Sequence, residues 1–233
     1  MTTLALLPSP LLGPSVWSPV ADRLRRRGWP VVVARGPRAP GSAQEVLDAF
    51  VGSLRHDRSL ALVPHSNAGL YVPALSHRLE VAGTVFVDAA VPPERGDTAL
   101  VPAALYDLLR SRADEAGMLP PWTRWWDEAD VAALFPDAQV RADVEAEQPR
   151  LPLSYFDTRV EVPSGWTDLP AAYVAFGDSY ADEILWAQRS GWPVTTLAGL
   201  HLHMLVEPDS VAMTIAHMLA ALGVEPGDDA MGV

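Results

Sequence analysis

The sequence predicts an α/β fold built on a parallel sheet, and three observations carry that expectation. Short apolar runs rich in β-branched residues alternate with segments of helical period, the pattern of repeated strand-helix-strand units. One of these runs, Gly83 to Val87, is apolar or aromatic apart from Thr84, as in a strand covered on both faces. A length of 233 residues, with 49% hydrophobic and 20% charged residues, suits one globular domain that buries about 70% of its unfolded surface.

The elements follow in chain order. Leu4 to Leu7 reads as the first strand. After a Pro/Gly loop, a helix is expected from about Ser15 to Arg27, ended by Gly28. Trp29 to Ala34 is a second strand, Ala43 to Leu54 a helix, Leu60 to Val63 a third strand and Asn67 to Leu79 a helix. Gly83 to Val87 is the fourth strand. The rhythm then breaks. From Pro92 to Pro170 no clean strand is expected, only helices at Pro102 to Glu115 and about Asp137 to Gln148, separated by the run Pro120 to Trp126. Apolar residues there are too scattered for a separate core, so residues 93–169 read as a helical lid inserted after the fourth strand, within a single domain spanning 1–233. Alternation resumes with the strand Ala172 to Phe176, a helix from about Ala181 to Arg189, the strand Val194 to Leu197 and a helix from Pro208 to Leu222. Gly227 to Val233 reads as a frayed tail.

Composition narrows the chemistry. The 17 basic residues are all Arg, and the chain has neither Lys nor Cys. Thiolate nucleophiles, disulfides, Cys-ligated zinc, Schiff-base lysines and phosphate-loop lysines are thereby excluded. Covalent catalysis is left to an activated hydroxyl or a carboxylate. The net charge of −12 disfavours nucleic acid and anionic membranes as partners. Met1 to Leu12 is apolar without a basic n-region, so it reads as a strand and not a signal peptide. No apolar run reaches the roughly 18 residues a bilayer span needs. A cytoplasmic protein acting on a small molecule is expected, as a monomer or homodimer. No metal site, dinucleotide fingerprint or other cofactor site is expected.

The chemistry-bearing segment is Leu62-Val63-Pro64-His65-Ser66-Asn67-Ala68-Gly69. A strand ends, a serine follows, and a helix begins at once, which is the setting of a nucleophile elbow. The sharp turn exposes the Ser66 hydroxyl above the sheet, where the positive end of the helix favours a nearby oxyanion. Pro64 and Ala68 replace the two glycines of the usual Gly-x-Ser-x-Gly. The bland alternative is a helix-capping serine. The far end of the chain supplies a base: Leu197-Ala198-Gly199-Leu200-His201-Leu202-His203 follows the last strand. His201 is preferred to His203 because Gly199 sharpens the loop before it. His56, His77 and His217 read as solvated or capping residues, and His65 as packing.

Ser66 early, His201 late and the strand-helix order between them resemble the α/β-hydrolase superfamily over nearly the whole chain. Gly191-Trp192-Pro193-Val194 through Glu207-Pro208 resembles the closing segment of small bacterial esterase-like members. The resemblance implies a six-stranded, mainly parallel sheet beginning at the family's third strand, a lid at the observed break, and a serine-histidine-acid triad. It also implies hydrolysis of an ester, thioester or lactone, or a non-hydrolytic reaction such as a lyase, cyclase or isomerase step in the same pocket. Two acids compete for the third place. Asp178, directly after Gly177, lies nearest the commoner family position. Asp88 ends an apolar strand, as in some haloalkane dehalogenases, and is preferred because a buried carboxylate without a partner costs several kcal/mol. The oxyanion hole should draw on the N–H groups of Asn67 and of Leu11, since Pro10 has none to give. Trp122, Trp125, Trp126 and Leu119, with Phe135, are expected to wall a pocket for an apolar or aromatic group.

Overall fold

The aliphatic runs pair into one six-stranded sheet in the computed structural model, which describes residues 2–55 and 59–226. Its strands are β1 (Thr3–Leu7), β2 (Val31–Val33), β3 (Leu60–Ser66), β4 (Val81–Ala89), β7 (Ala171–Phe176) and β8 (Val194–Leu197), and every pairing is parallel. The order is β2-β1-β3-β4-β7-β8. All seven residues of β3 and all six of β7 are buried, which explains why these strands read as continuous apolar runs rather than as alternation. The expected fold class and strand number match. His56 and the tail Gly227 to Val233 lie outside the described residues.

Helices flank the sheet. Helix α1 (Ser18–Arg26) packs on the short α8 (His203–Val206) and on α9 (Pro208–Ala221), which also packs on β4 and β7, and α2 (Ala43–Leu54) packs on α3 (Val72–Arg78). Two expected helices begin differently from their periodicity. Pro14–Trp17 and Asn67–Tyr71 are 3-10 turns that precede α1 and α3. The reason is the same in both places. Pro19 and Pro73 have no N–H to offer the carbonyls of Ser15 and Gly69, so the residue before each proline takes that carbonyl in a tighter i to i−3 bond.

The segment between β4 and β7 contains more order than its sequence suggested. It holds α4 (Ala103–Arg112), α5 (Glu128–Ala132) and α6 (Ala138–Glu147), and also two strands, β5 (Gly96–Ala99) and β6 (Arg159–Val162), paired antiparallel. The expectation of no strand here is therefore corrected. The partners stand some sixty positions apart and β5 is mostly exposed, so no local run advertised the pair; only Arg159-Val160-Glu161-Val162 carries a period-two pattern, with both valines buried. The ends of the segment are tied together by the Trp166 indole N–H, which donates to the Pro93 carbonyl at 3.0 Å. Its C-terminal part is tied to the turn after β3 by Tyr71 and Tyr155, whose buried hydroxyls lie 2.8 Å apart. No helix among the described residues is long and apolar enough to cross a membrane.

Candidate active site

Ser66 ends β3 with φ 57° and ψ −130°, and Asp88 near the end of β4 has φ 42°. They are the non-glycine residues with positive φ among those described, and each conformation costs of order 1–3 kcal/mol. Both stand at one irregularity of the strand pairing. In the β3–β4 register His65 faces Val87 and Ser66 faces Ala89, so Asp88 is skipped as a bulge. A bulge redirects the side chain it displaces, and Asp88 is turned under the sheet's end, with no exposure to solvent.

The three side chains then meet. Asp88 Oδ1 accepts the Phe176 backbone N–H at 3.0 Å, and Asp88 Oδ2 accepts His201 Nδ1–H at 2.6 Å. A carboxylate only accepts, so Nδ1 carries the imidazole proton and Nε2 is left to accept the Ser66 hydroxyl at 3.0 Å. Asp178 is not part of this group: it is exposed on the loop after β7 and makes no hydrogen bond to His201. Gly177 at φ 73° turns the chain outward just before it. His203 also stands apart, edge-on to Phe176, and the ring occupies the space that a Cβ on Gly199 would need, at 2.4 Å. Gly199 therefore makes room for a neighbour and does not supply a left-handed turn.

Close packing holds the elbow. A Cβ on Gly69 would lie 2.0 Å from the Ala90 carbonyl oxygen, so β4 and the turn after Ser66 approach each other as only glycine permits. Gly69→Ala is expected to destabilise the protein by about 3 kcal/mol or more, read as a lower urea midpoint; an unchanged midpoint would contradict the close approach.

Two residues that the sequence reading passed over belong here. His65, taken as packing, is fully buried, and its Nε2–H donates to the His201 backbone carbonyl at 2.9 Å while the two imidazole rings lie 4.6 Å apart. Burial, followed by the charge of His201, pushes its pKa well below the ordinary histidine value, with the carbonyl bond opposing. The unfolded chain takes up this proton near pH 6.5 and the folded chain resists it, so stability is full above 6.5 and is lost as pH falls below it, by up to about 1.4 kcal/mol per pH unit. Between pH 6.5 and 5 the melting temperature is expected to fall more steeply in the unsubstituted protein than in His65→Gln. Equal slopes would show that His65 does not resist protonation. Its adjacency to Ser66 was the available signal.

Tyr180 is the second such residue. Its hydroxyl lies 3.4 Å from Ser66 Oγ and its ring 5.8 Å from that of His201. Burial pushes the phenol well above its ordinary pKa, against the opposing bond from Ser66, so it remains a donor. It follows β7 by only a few residues, the kind of strand-end loop on which functional groups concentrate.

A cavity of about 680 Å³ opens over Ser66 and His201. Asn67 and Leu11 border it. The Leu11 N–H is directed at Ser9 Oγ over a long 3.4 Å bond, while the Asn67 N–H opens the turn after Ser66, where helical carbonyls do not reach. Trp122, Trp125 and Trp126 are on the wall, with the Trp122 ring 6.0 Å from His201. Leu119 is not on it. It is fully buried in the packing, where its N–H bonds to the Leu151 carbonyl at 2.8 Å in the bridge between Met118 and Pro152. Phe135 is likewise absent from the wall. No cluster of three or more His, Asp or Glu among the described residues is arranged to hold a metal ion.

No family model matches the sequence, and no curated protein matches it. Solved structures do match the fold. An extracellular α/β-hydrolase from a Paenibacillus species superposes with a TM-score of 0.74 at 16% identity, covering 94% of this chain and 99% of that one. Tomato methylketone synthase I, solved with 2-tridecanone, gives 0.74 at 16%, over 95% of this chain and 99% of its own. A pyrethroid hydrolase from Sphingobium faniae JZ-2 gives 0.62 at 17%, over 95% and 98%.

Proposed function

We propose that this chain, which has the α/β-hydrolase fold, is a serine hydrolase that cleaves an ester, thioester or lactone through an acyl-enzyme. The observation that carries the reading is the chain of bonds from Asp88 through His201 to Ser66, at 2.6 and 3.0 Å. Ser66 Oγ attacks the carbonyl carbon as His201 Nε2 takes its proton, and Asp88 holds the tautomer and stabilises the imidazolium. Charge developing on the carbonyl oxygen meets the Asn67 N–H and the Tyr180 hydroxyl, with Leu11 N–H as a further donor once it leaves Ser9. The imidazolium returns its proton to the leaving group, and water, activated by the same imidazole, releases the acid. Residues 93–169 serve as a lid: the apolar side of the cavity, from Thr98 to Leu105 and from Trp122 to Leu134, comes from them, which suits an apolar or aromatic substrate group.

The Leu11–Ser9 bond and the missing N–H at Pro10 favour one second reading, a non-hydrolytic reaction in the same cavity run by His201 as acid and base. A fluorophosphonate separates the two. The hydrolase reading expects a single adduct on Ser66 by intact mass, its absence in Ser66→Ala, and turnover of p-nitrophenyl esters. Protein that is not labelled would remove it.

A further inference from the structure

The wall of the cavity above Ser66 carries two formal charges besides His201, and both are negative: Glu183 and Asp130. No arginine among the described residues lines it. Glu183 lies in the first turn of α7 (Ala181–Arg189), three residues after Tyr180 and so on the same face. That puts its Cα about one helical turn, roughly 5 Å along the axis, beyond that of Tyr180, whose phenol touches Ser66, and both residues line the cavity. It is half-buried with no ion-pair partner among the described residues. Burial, joined by the nearby charges of Asp182 and Asp88, raises its carboxyl pKa, with its own backbone N–H opposing. A cation in the cavity would relieve that cost. Asp130 comes from α5, in the segment between β4 and β7.

A further feature suits the same kind of guest. The rings of Trp122 and Trp126 lie 6.2 Å apart, edge to face, on the wall that Asp130 also lines. An aromatic face attracts a cation, as a carboxylate does.

We infer that the cavity selects esters carrying a protonated amine about one helical turn from the scissile carbonyl, over neutral esters and most strongly over anionic ones. The inference rests on the hydrolase reading for its chemistry and narrows it: thioesters of phosphate-bearing carriers would bring negative charge against Glu183, Asp130 and a net charge of −12.

Three benzoates of nearly equal shape test it: the 2-(dimethylamino)ethyl ester, protonated at neutral pH, its uncharged isostere the 3-methylbutyl ester, and the anionic 2-carboxyethyl ester. The expected order of kcat/KM is amine, neutral, acid, with about tenfold between the first two at low salt and less at high salt. In Glu183→Gln the amine-to-neutral ratio falls to near one. Asp130→Asn, at an exposed position, lowers it in part and decides the matter if Glu183→Gln does not fold. A ratio near one in the unsubstituted protein, or a ratio that survives these substitutions, overturns the inference. Titration of Ser66→Ala with the same three esters reads selection without chemistry. Amine-selective binding in a protein that hydrolyses nothing would remove the hydrolase reading and leave this inference standing; equal hydrolysis of all three would do the reverse.

Discussion

Asp88→Asn is expected to lower kcat for ester hydrolysis by about 10³- to 10⁴-fold, while Asp178→Asn stays within about twofold of the unsubstituted protein. The two substitutions remove the same charge from the ends of the neighbouring strands β4 and β7, but only one of them touches the imidazole. An asparagine at 88 can still accept the Phe176 N–H through Oδ1, so the fold has little reason to fail. Its Nδ2 would then face His201 Nδ1. Two N–H groups cannot point at each other, so the imidazole takes the other tautomer, its proton moves to Nε2, and the Ser66 hydroxyl loses its acceptor. Circular dichroism and the urea midpoint separate this from misfolding. A larger loss in Asp178→Asn than in Asp88→Asn would sink the assignment.

Tyr180→Phe is expected to reduce kcat by about 10²-fold with KM little changed, the mark of an interaction made mainly in the transition state. The magnitude follows from the shortage of backbone donors: Pro10 has no N–H, and the Leu11 N–H is occupied by Ser9. A phenol 3.4 Å from Ser66 Oγ can swing its proton to the oxygen that becomes negative two bonds away, on the carbon Ser66 has attacked. The rate of fluorophosphonate labelling, which forms a similar charge, should fall in parallel. A rise in KM at constant kcat would instead make Tyr180 a binding group that does not stabilise the transition state.

The legible parts of the fold were those with local causes. Continuous apolar runs marked β3 and β7 because strands covered on both faces have no polar side to display. The elbow was visible at Ser66 because a strand-to-helix turn has a short, sequential signature. Where prolines tightened the first turns of α1 and α3, the helical period was right and the hydrogen bonding was not, since periodicity records which face is buried and not which carbonyl is reached. The β5–β6 pair was missed because its strands are joined by pairing across distant chain, which leaves little local mark in β5.

At the site, residue type and chain order pointed to Ser66, to His201 and, by the cost of stranding a buried carboxylate, to Asp88 ahead of Asp178. The choice depends on a single skipped residue in the β3–β4 register, which turns Asp88 under the sheet end and toward His201. Tyr180, His65 and Glu183 lay beyond such reasoning. Each is an ordinary residue in its own segment and acquires meaning from what stands opposite it: a hydroxyl, a carbonyl, an empty cavity. Burial pattern and turn chemistry are written along the chain, so the amino-acid sequence specifies the sheet and the strand end where chemistry is possible. Distances between side chains far apart in sequence depend on the whole packed sheet, so which groups meet Ser66, and which charge the cavity presents to a guest, emerge only once the chain is folded.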